Sequence, residues 1–329
     1  MKQYYFQSVY YLKKLLSRIN LFFLFFLLPI NSYSTEIFFI EKGSAVIGDV
    51  KKIKVSGFET IADIANRYKA GFQDLLIANQ DSHHWTPEEN SEYIIPSMYI
   101  LPEENYNGII LNLAELRMYF YMPGSDLYEN SKVITLPVGI GRLDWKTPLG
   151  ETFIKTKVKN PTWYPPKSII LEHEQRGESL PREVKSGPNN PLGDFALKLN
   201  VDGGYLLHGT NKKYGIGMMV SHGCVRLRNE DIKLIYYNSY IGTKVKIINT
   251  PIKLGVHKDH LYMEVHAFNN KEVYSNNIKN LLTTENIYKP ITHVMNFSKK
   301  NPDFLINWKS VLNAYEESSG IPVIIGKRR

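Results

Sequence analysis

The chain has a single cysteine, Cys224, in 329 residues. One thiol cannot form an intramolecular disulfide, which excludes the stapled architecture of small secreted domains. The apolar run Ile19 to Ile30 is twelve residues long, short of the ~20 needed to cross a bilayer. There is no dense basic run before Lys327-Arg328-Arg329, no zinc-finger spacing and no internal repeat. The net charge of +8, from 40 Lys+Arg against 32 Asp+Glu, therefore does not read as a nucleic-acid footprint, and no nucleic-acid partner is expected. It suits a milder affinity for an anionic polymer or membrane surface. At 43% hydrophobic the chain can bury a real core and divides into two or three domains.

Residues 1–34 read as an export segment. Lys2, Lys13, Lys14 and Arg18 precede the apolar run, and Ser32-Tyr33-Ser34 puts small residues at the −3 and −1 positions for cleavage after Ser34. The partly apolar stretch from Tyr4 to Leu12 leaves an uncleaved signal anchor open as the alternative. Either way export is expected. An exported thiol meets oxidants with no reducing pool to restore it. It persists as a liability, as an inert buried residue or as a working nucleophile.

Residues 50–97 read as a small α/β module. Val50 to Val55 alternates like a strand, Thr60 to Tyr68 and Phe72 to Asn79 carry helical spacing, and Tyr93 to Pro96 closes with a strand. Phe58 to Ala65 and Leu75 to Asn79 resemble the LysM module, which binds peptidoglycan glycan through its loops; Asp81-Ser82-His83-His84-Trp85 departs from its usual loop. A structural spacer without sugar affinity is the alternative. From Asn107 the texture changes to short strands between Gly, Pro and Asn turns: 109–113, 117–121, 132–135, 153–158, 195–199, 205–207 and 244–248. That pattern predicts a mainly β domain over 107–250, a sandwich or barrel-like sheet. One main helix interrupts it, with Asn229 as its N-cap and Glu230 and Asp231 in its first turn. Residues 251–329 form a C-terminal extension of unassigned role. It holds an expected strand over 261–266 and an expected helix over 303–317 with Phe304, Trp308, Leu312 and Tyr315 on one face.

A free thiol is only a few per cent ionised at neutral pH, so a nucleophilic Cys224 needs a base or a positive neighbourhood. His208, sixteen residues upstream at the end of an expected strand, is the candidate general base and later acid. Gly209 and Gly223 leave backbone uncovered beside the site. The N–H groups of Gly223 and Cys224 are candidate oxyanion donors. A zinc reading of His208, His222 and Cys224 lacks a clear fourth ligand. Trp163 and Tyr164, before Pro165-Pro166, are candidate walls of a substrate groove, with core or turn packing as the plainer reading.

His208-Gly209-Thr210 followed by Ser221-His222-Gly223-Cys224-Val225-Arg226-Leu227 resembles the signature of the L,D-transpeptidases with a YkuD-type catalytic domain. Thr147 to Phe153, Asn160 to Trp163 and Gly187 to Gly193 resemble family segments too, and the layout is similar to the periplasmic Gram-negative subgroup. The resemblance implies cysteine acyl transfer on peptidoglycan stem peptides, with no metal and no cofactor. Cys224 attacks the carbonyl of the position-three diamino acid and releases D-alanine. The acceptor is then another stem peptide, giving a 3→3 cross-link, or the C-terminal lysine of the major outer-membrane lipoprotein. Water as acceptor gives an L,D-carboxypeptidase, and a non-catalytic peptidoglycan-binding protein is the alternative of a different class. His222 is given a supporting role, and Arg226, with Ser221 and Thr210, a place at the substrate.

Overall fold

The short strands between turns from 107 onward resolve into one curled sheet, flanked by a small module before it and a second sheet after it. The computed structural model describes residues 36–82, 85–103, 106–122, 132–142, 147–266 and 284–329. The export segment, His83-His84 and the stretch 267–283 lie outside the described residues.

The first part contains strands β1 (Ile37–Phe39), β2 (Val46–Gly48) and β3 (Lys51–Lys54), helices α1 (Ile61–Arg67) and α2 (Phe72–Ala78), then β4 (Glu92–Ile95) and β5 (Met98–Ile100). Thr60 starts α1 with a capping box. Its hydroxyl accepts from the Asp63 N–H at 3.2 Å, and the Asp63 carboxylate accepts from the Thr60 N–H at 3.0 Å. β3 and β4 pair antiparallel with Ile53 opposite Tyr93, closing a strand–helix–helix–strand unit over Ile61, Ile64, Leu75 and Ile95.

The central part runs β6 (Gly108–Asn112), β7 (Arg117–Tyr121), β8 (Lys132–Pro137), β9 (Ile140–Gly141), β10 (Gly150–Lys159), α3 (Lys167–Gln175), β11 (Phe195–Leu199), β12 (Leu206–His208), β13 (Met219–Ser221), β14 (Val225–Arg226), α4 (Asn229–Asn238) and β15 (Lys244–Ile248). Nine strands form one mixed sheet in the order β1-β8-β7-β6-β15-β10-β11-β12-β14. The β6–β7 hairpin turns through Leu116, held at φ +49°. Gly139, just past β8 near one edge, exchanges backbone hydrogen bonds of 2.9 and 2.7 Å with Arg226 on β14 at the other edge. The sheet thereby curls toward a barrel. Met118, Phe120 and Leu136 share one core with Leu197, Leu207, Val225 and Ile232 of α4.

Three readings of the sequence need correction. Helix α3 was not anticipated: it buries no residue, so it has no apolar stripe to betray it. Helix α4 has Arg228, not Asn229, at its N-cap, because the Asn229 side chain is engaged elsewhere. The expected helix over 303–317 is split. Phe304 lies in β18 (Phe304–Ile306), Asn307 caps at 3.2 Å to Ser310 N, and the helix runs Trp308–Glu317 with Val311 and Ala314 buried while Trp308 and Leu312 stay exposed.

That last part also holds β16 (Ile252–His257), β17 (His260–Val265), a helix α5 (Thr284–Lys300), the Trp308–Glu317 helix as α6, and β19 (Val323–Arg328). Its four-stranded sheet, β16-β17-β19-β18, packs Leu261, Met263 and Ile325 against Val294 and Val311. A buried charge cluster welds it to the central sheet. The Lys253 ammonium donates to Glu115 at 2.8 Å, to the Tyr119 hydroxyl at 2.9 Å and to the Ile100 carbonyl at 2.7 Å, and lies 2.9 Å from Glu264. The first module is docked as firmly. Arg117 of β7 pairs with Asp74 of α2 at 2.5 Å, both buried, and Arg228 donates to the Ala65 and Ala70 carbonyls at 3.0 and 2.8 Å. Losing one partner of such a buried pair costs about 3–5 kcal/mol. The module is therefore fixed to the central sheet rather than tethered to it. The N–H groups of Phe72 and Gln73 reach the carbonyls of Ile216 and Gly217 (3.3 and 3.2 Å), just ahead of β13.

Candidate active site

The site forms where the curl of the sheet ends. β12 and β14 pair in parallel with Leu207 opposite Val225 and His208 opposite Arg226. Both Leu207 and Val225 point into the core. Side chains alternate along a strand, so His208 and Arg226 take the other face, and Cys224, one residue before β14, shares it. The Leu206 N–H donates to the Cys224 thiol from the neighbouring strand. Thiol and imidazole are thus diagonal neighbours on adjacent strands. A β-branched residue at 225 and a leucine at 207 fix that register from below.

Each group is held in a defined state. His208 Nδ1 lies 2.6 Å from the Gly209 carbonyl. A carbonyl only accepts, so Nδ1 carries the proton and the Nε2 lone pair is left to act as base. Burial, and then the positive field of Arg226, push His208 down to about 4 against that hydrogen bond. Burial also pushes the Cys224 thiol up, opposed by the Leu206 N–H and by Arg226. At neutral pH both partners are therefore uncharged at rest, because the dry site penalises separated charge.

The turn into Cys224 is clamped by two hydroxyls. Thr147 Oγ1 donates to the Gly223 carbonyl at 3.0 Å, and Ser221 Oγ donates to the Cys224 carbonyl at 2.5 Å. Gly223 sits at φ +100°, a conformation that side chains resist. The carbonyl and N–H of one planar peptide point in opposite directions. Turning the Gly223 carbonyl onto Thr147 therefore aims the Cys224 N–H away from Thr147. Ser221 is itself buried and holds the Cys224 carbonyl from within the fold.

The other predicted residues fall partly beside the site and partly away from it. Gly209 is packed against Asn229, whose Oδ1 accepts from the Thr210 N–H at 3.1 Å; a Cβ at Gly209 would stand 2.1 Å from that oxygen. Thr210 is buried, its hydroxyl accepting from Lys212 N at 3.0 Å. It also lines a groove of about 650 Å³ with Asn66, Asn190, Asp194 and Arg228. Arg226 keeps its Nε buried with no hydrogen-bond partner among the described residues. Trp163 is half-buried and exchanges two 2.8 Å backbone bonds with Val184, while Tyr164 is 66% exposed.

Sequence reasoning gave no place in the site to Thr147, Asn229, Arg142 or Glu172. His222 turns out to be joined to the last two. Its Nε2 is 2.6 Å from Glu172 Oε2, and Arg142 grips the same carboxylate with two bonds of 3.1 and 2.5 Å. Those bonds, from Arg142 first and His222 second, hold the Glu172 carboxyl down at about 2. Only Thr147 carried a signal, through the Thr147 to Phe153 segment. The others are contacts between residues 19 to 80 positions apart, which no local pattern encodes.

Three ligating side chains meet away from this site. Glu115, Glu264 and His266 bring their polar atoms within 4.8 Å of one another. The Lys253 ammonium lies against both carboxylates, so a fixed cation already balances the charge a metal would have to meet.

A family model, the YkuD L,D-transpeptidase catalytic domain, matches residues 106–247. The probable L,D-transpeptidase ErfK/SrfK of Salmonella typhimurium is 34% identical over 318 residues, 95% of this chain and 98% of that protein. The probable L,D-transpeptidase YcfS of Escherichia coli is 43% identical over 65% of this chain and 66% of its own length. The corresponding figures for YbiS of Escherichia coli, also a probable L,D-transpeptidase, are 38%, 68% and 72%.

Proposed function

The chain belongs to the L,D-transpeptidase family, and on that premise we propose that it is a cysteine acyltransferase acting on peptidoglycan stem peptides. The reading rests on one observation above all: the parallel β12–β14 register that sets His208 and Cys224 on one face. As Cys224 attacks the carbonyl of the position-three diamino acid, its proton passes to His208 Nε2. The tautomer fixed by the Gly209 carbonyl supports that direction of transfer. The tetrahedral oxygen is met by the N–H groups of Gly223 and Cys224; the Thr147 clamp supports the aim of the Cys224 N–H, and the Ser221 bond holds the peptide that follows. Each such donor contributes about 3 kcal/mol at the transition state. The bond to D-alanine then breaks, its amine taking the proton from His208, and a thioester remains. An acceptor amine attacks that thioester, loses its proton to His208 and returns the thiol.

The acceptor is the C-terminal lysine of the major outer-membrane lipoprotein or the side-chain amine of a second stem peptide. Export through residues 1–34, to the periplasm, brings the enzyme to either. Residues 50–97 serve as a LysM-like glycan-binding module. Phe58 (95% exposed) and Trp85 (71% exposed) support this: they sit in the loops on either side of the helix pair, and the Trp85 carbonyl accepts from Ile61 N at 3.2 Å. Exposed aromatic faces suit sugar rings.

The test offers disaccharide tetrapeptide together with both acceptors, with product masses as the readout. D-alanine release in the wild type and none in Cys224→Ala is expected. Product masses assign the acceptor, and free tripeptide alone would mark a carboxypeptidase. Binding to sacculi with no turnover of any donor would leave a wall-binding protein instead.

A further inference from the structure

Helix α3 is attached to the domain in an unusual way. None of its residues is fully buried, and Leu171 faces solvent. Its firmest polar attachment is Glu172, whose carboxylate takes a full set of donors. Oε2 accepts from Arg142 Nη2 at 2.5 Å and lies 2.6 Å from His222 Nε2; Oε1 accepts from Arg142 Nη1 at 3.1 Å and from Arg176 of its own helix. The two receivers are built differently. The Arg142 N–H bonds the Ser221 carbonyl at 3.0 Å, and the β9–β13 pair holds Arg142 beside the strand that runs straight into His222, Gly223 and Cys224. A rigid guanidinium fork and an imidazole donor thus flank the nucleophile turn, while the anion they hold arrives on a peripheral helix.

From that contrast we propose that Arg142 and His222 form a subsite for a carboxylate of the acyl-donor peptide, and that Glu172 occupies it until the donor binds. The inference rests on the acyl-transfer reading above. A planar fork matched to both oxygens of one carboxylate is the geometry that recognises any carboxylate. Replacing one carboxylate by another leaves the charge and the hydrogen-bond count of the pair unchanged. The exchange therefore costs little beyond lifting a helix with no core of its own. Stem peptides carry two carboxylates that fit, the C-terminal one on D-alanine and the one on the diamino acid side chain. Both lie within a residue or so of the scissile carbonyl, as His222 lies within two residues of Cys224. Glu172 is in this view a competitor that keeps the fork from discharging onto other anions, and donors without a carboxylate are not captured.

The test measures donor affinity by calorimetry in a Cys224→Ala background, where no turnover intervenes, for the full-length protein with and without Arg142→Gln. Three tetrapeptide donors are used: the native one, one amidated at the C-terminus, and one amidated on the diamino acid. Charge-assisted hydrogen bonds of this kind change affinity by about 10- to 100-fold. In Glu172→Ala, where no resident carboxylate has to leave, the native donor should bind that much tighter than one of the amides, which identifies the carboxylate; with Glu172 in place the preference should be smaller, and Arg142→Gln should abolish it in either background while leaving the affinity for that amide within about threefold. Glu172→Ala should tighten the native donor and leave the amide unchanged. Equal affinity of the Glu172→Ala protein for all three donors, or equal losses on all three in Arg142→Gln, would overturn the subsite and leave Glu172 as a structural ion pair. A protein that binds donors but releases no D-alanine with Cys224 restored would instead refute the acyl-transfer reading.

Discussion

Gly209 offers the sharpest structural test, because its space is limited by one oxygen. An added Cβ there would lie 2.1 Å from Asn229 Oδ1, with Gly193 Cα next at 3.3 Å. The Asn229 oxygen cannot retreat freely, since it accepts from Thr210 N at 3.1 Å at the start of α4. Gly209→Ala should cost about 1–3 kcal/mol for the overlap, plus about 1 kcal/mol if the Thr210 bond is lost. Asn229→Ala alone strands a buried N–H and should cost about 1–2 kcal/mol. In the double variant the overlap is gone, and the new methyl meets only Gly193 at a distance that a few tenths of an ångström relieve. The double variant should therefore be at least about 1 kcal/mol more stable than the sum of the single losses predicts. Urea midpoints at constant slope measure this, and D-alanine release should follow the same order, because the Gly209 carbonyl fixes the His208 tautomer. Losses that add within about 0.5 kcal/mol would refute the claim that Gly209 is glycine on account of Asn229.

Lys253→Met should destabilise the protein by about 3–5 kcal/mol in urea, since Glu115 and Glu264 stay buried without their cation; a loss below about 1 kcal/mol would contradict the weld. His208 falls from an ordinary 6.5 to about 4 in the fold. Its contribution to stability is thus complete above pH 6.5 and is lost as pH falls toward 4, a change of about 3 kcal/mol. His208→Gln should lack that slope in pH-dependent denaturation, and the acid limb of D-alanine release in the wild type should fall near pH 4 rather than 6.5. Thr147→Val frees the Gly223 carbonyl and should cut the maximal rate at least tenfold with little change in donor KM; an equal rise in KM would place Thr147 in binding.

Much of the fold was legible because its causes are local. The apolar runs at 109–113 and 117–121 follow from strands buried on both faces, and the alternation at 244–248 from a strand with a core on one side; those segments are β6, β7 and β15. Cys224 and the histidines stood out as chemistry-bearing residues at a recognisable spacing. The remainder is tertiary. α3 buries nothing, so its sequence carries no period. Asn229 looked like a cap because Asn commonly caps, yet its side chain turns to Thr210 across nineteen positions. Phe304 fell in phase with a helix face, but the Asn307 cap ends that continuity and leaves it in a strand. The partnership of Arg142, Glu172 and His222 exists only once β9, α3 and β13 have come together.

The most direct measurement is the intact mass of the protein after brief exposure to tetrapeptide donor, followed by peptide mapping. A thioester adduct equal to the donor less D-alanine is predicted on Cys224, slowed by several orders of magnitude in His208→Ala. Undiminished D-alanine release by Cys224→Ala, or an adduct mapping to any other side chain, would contradict the account.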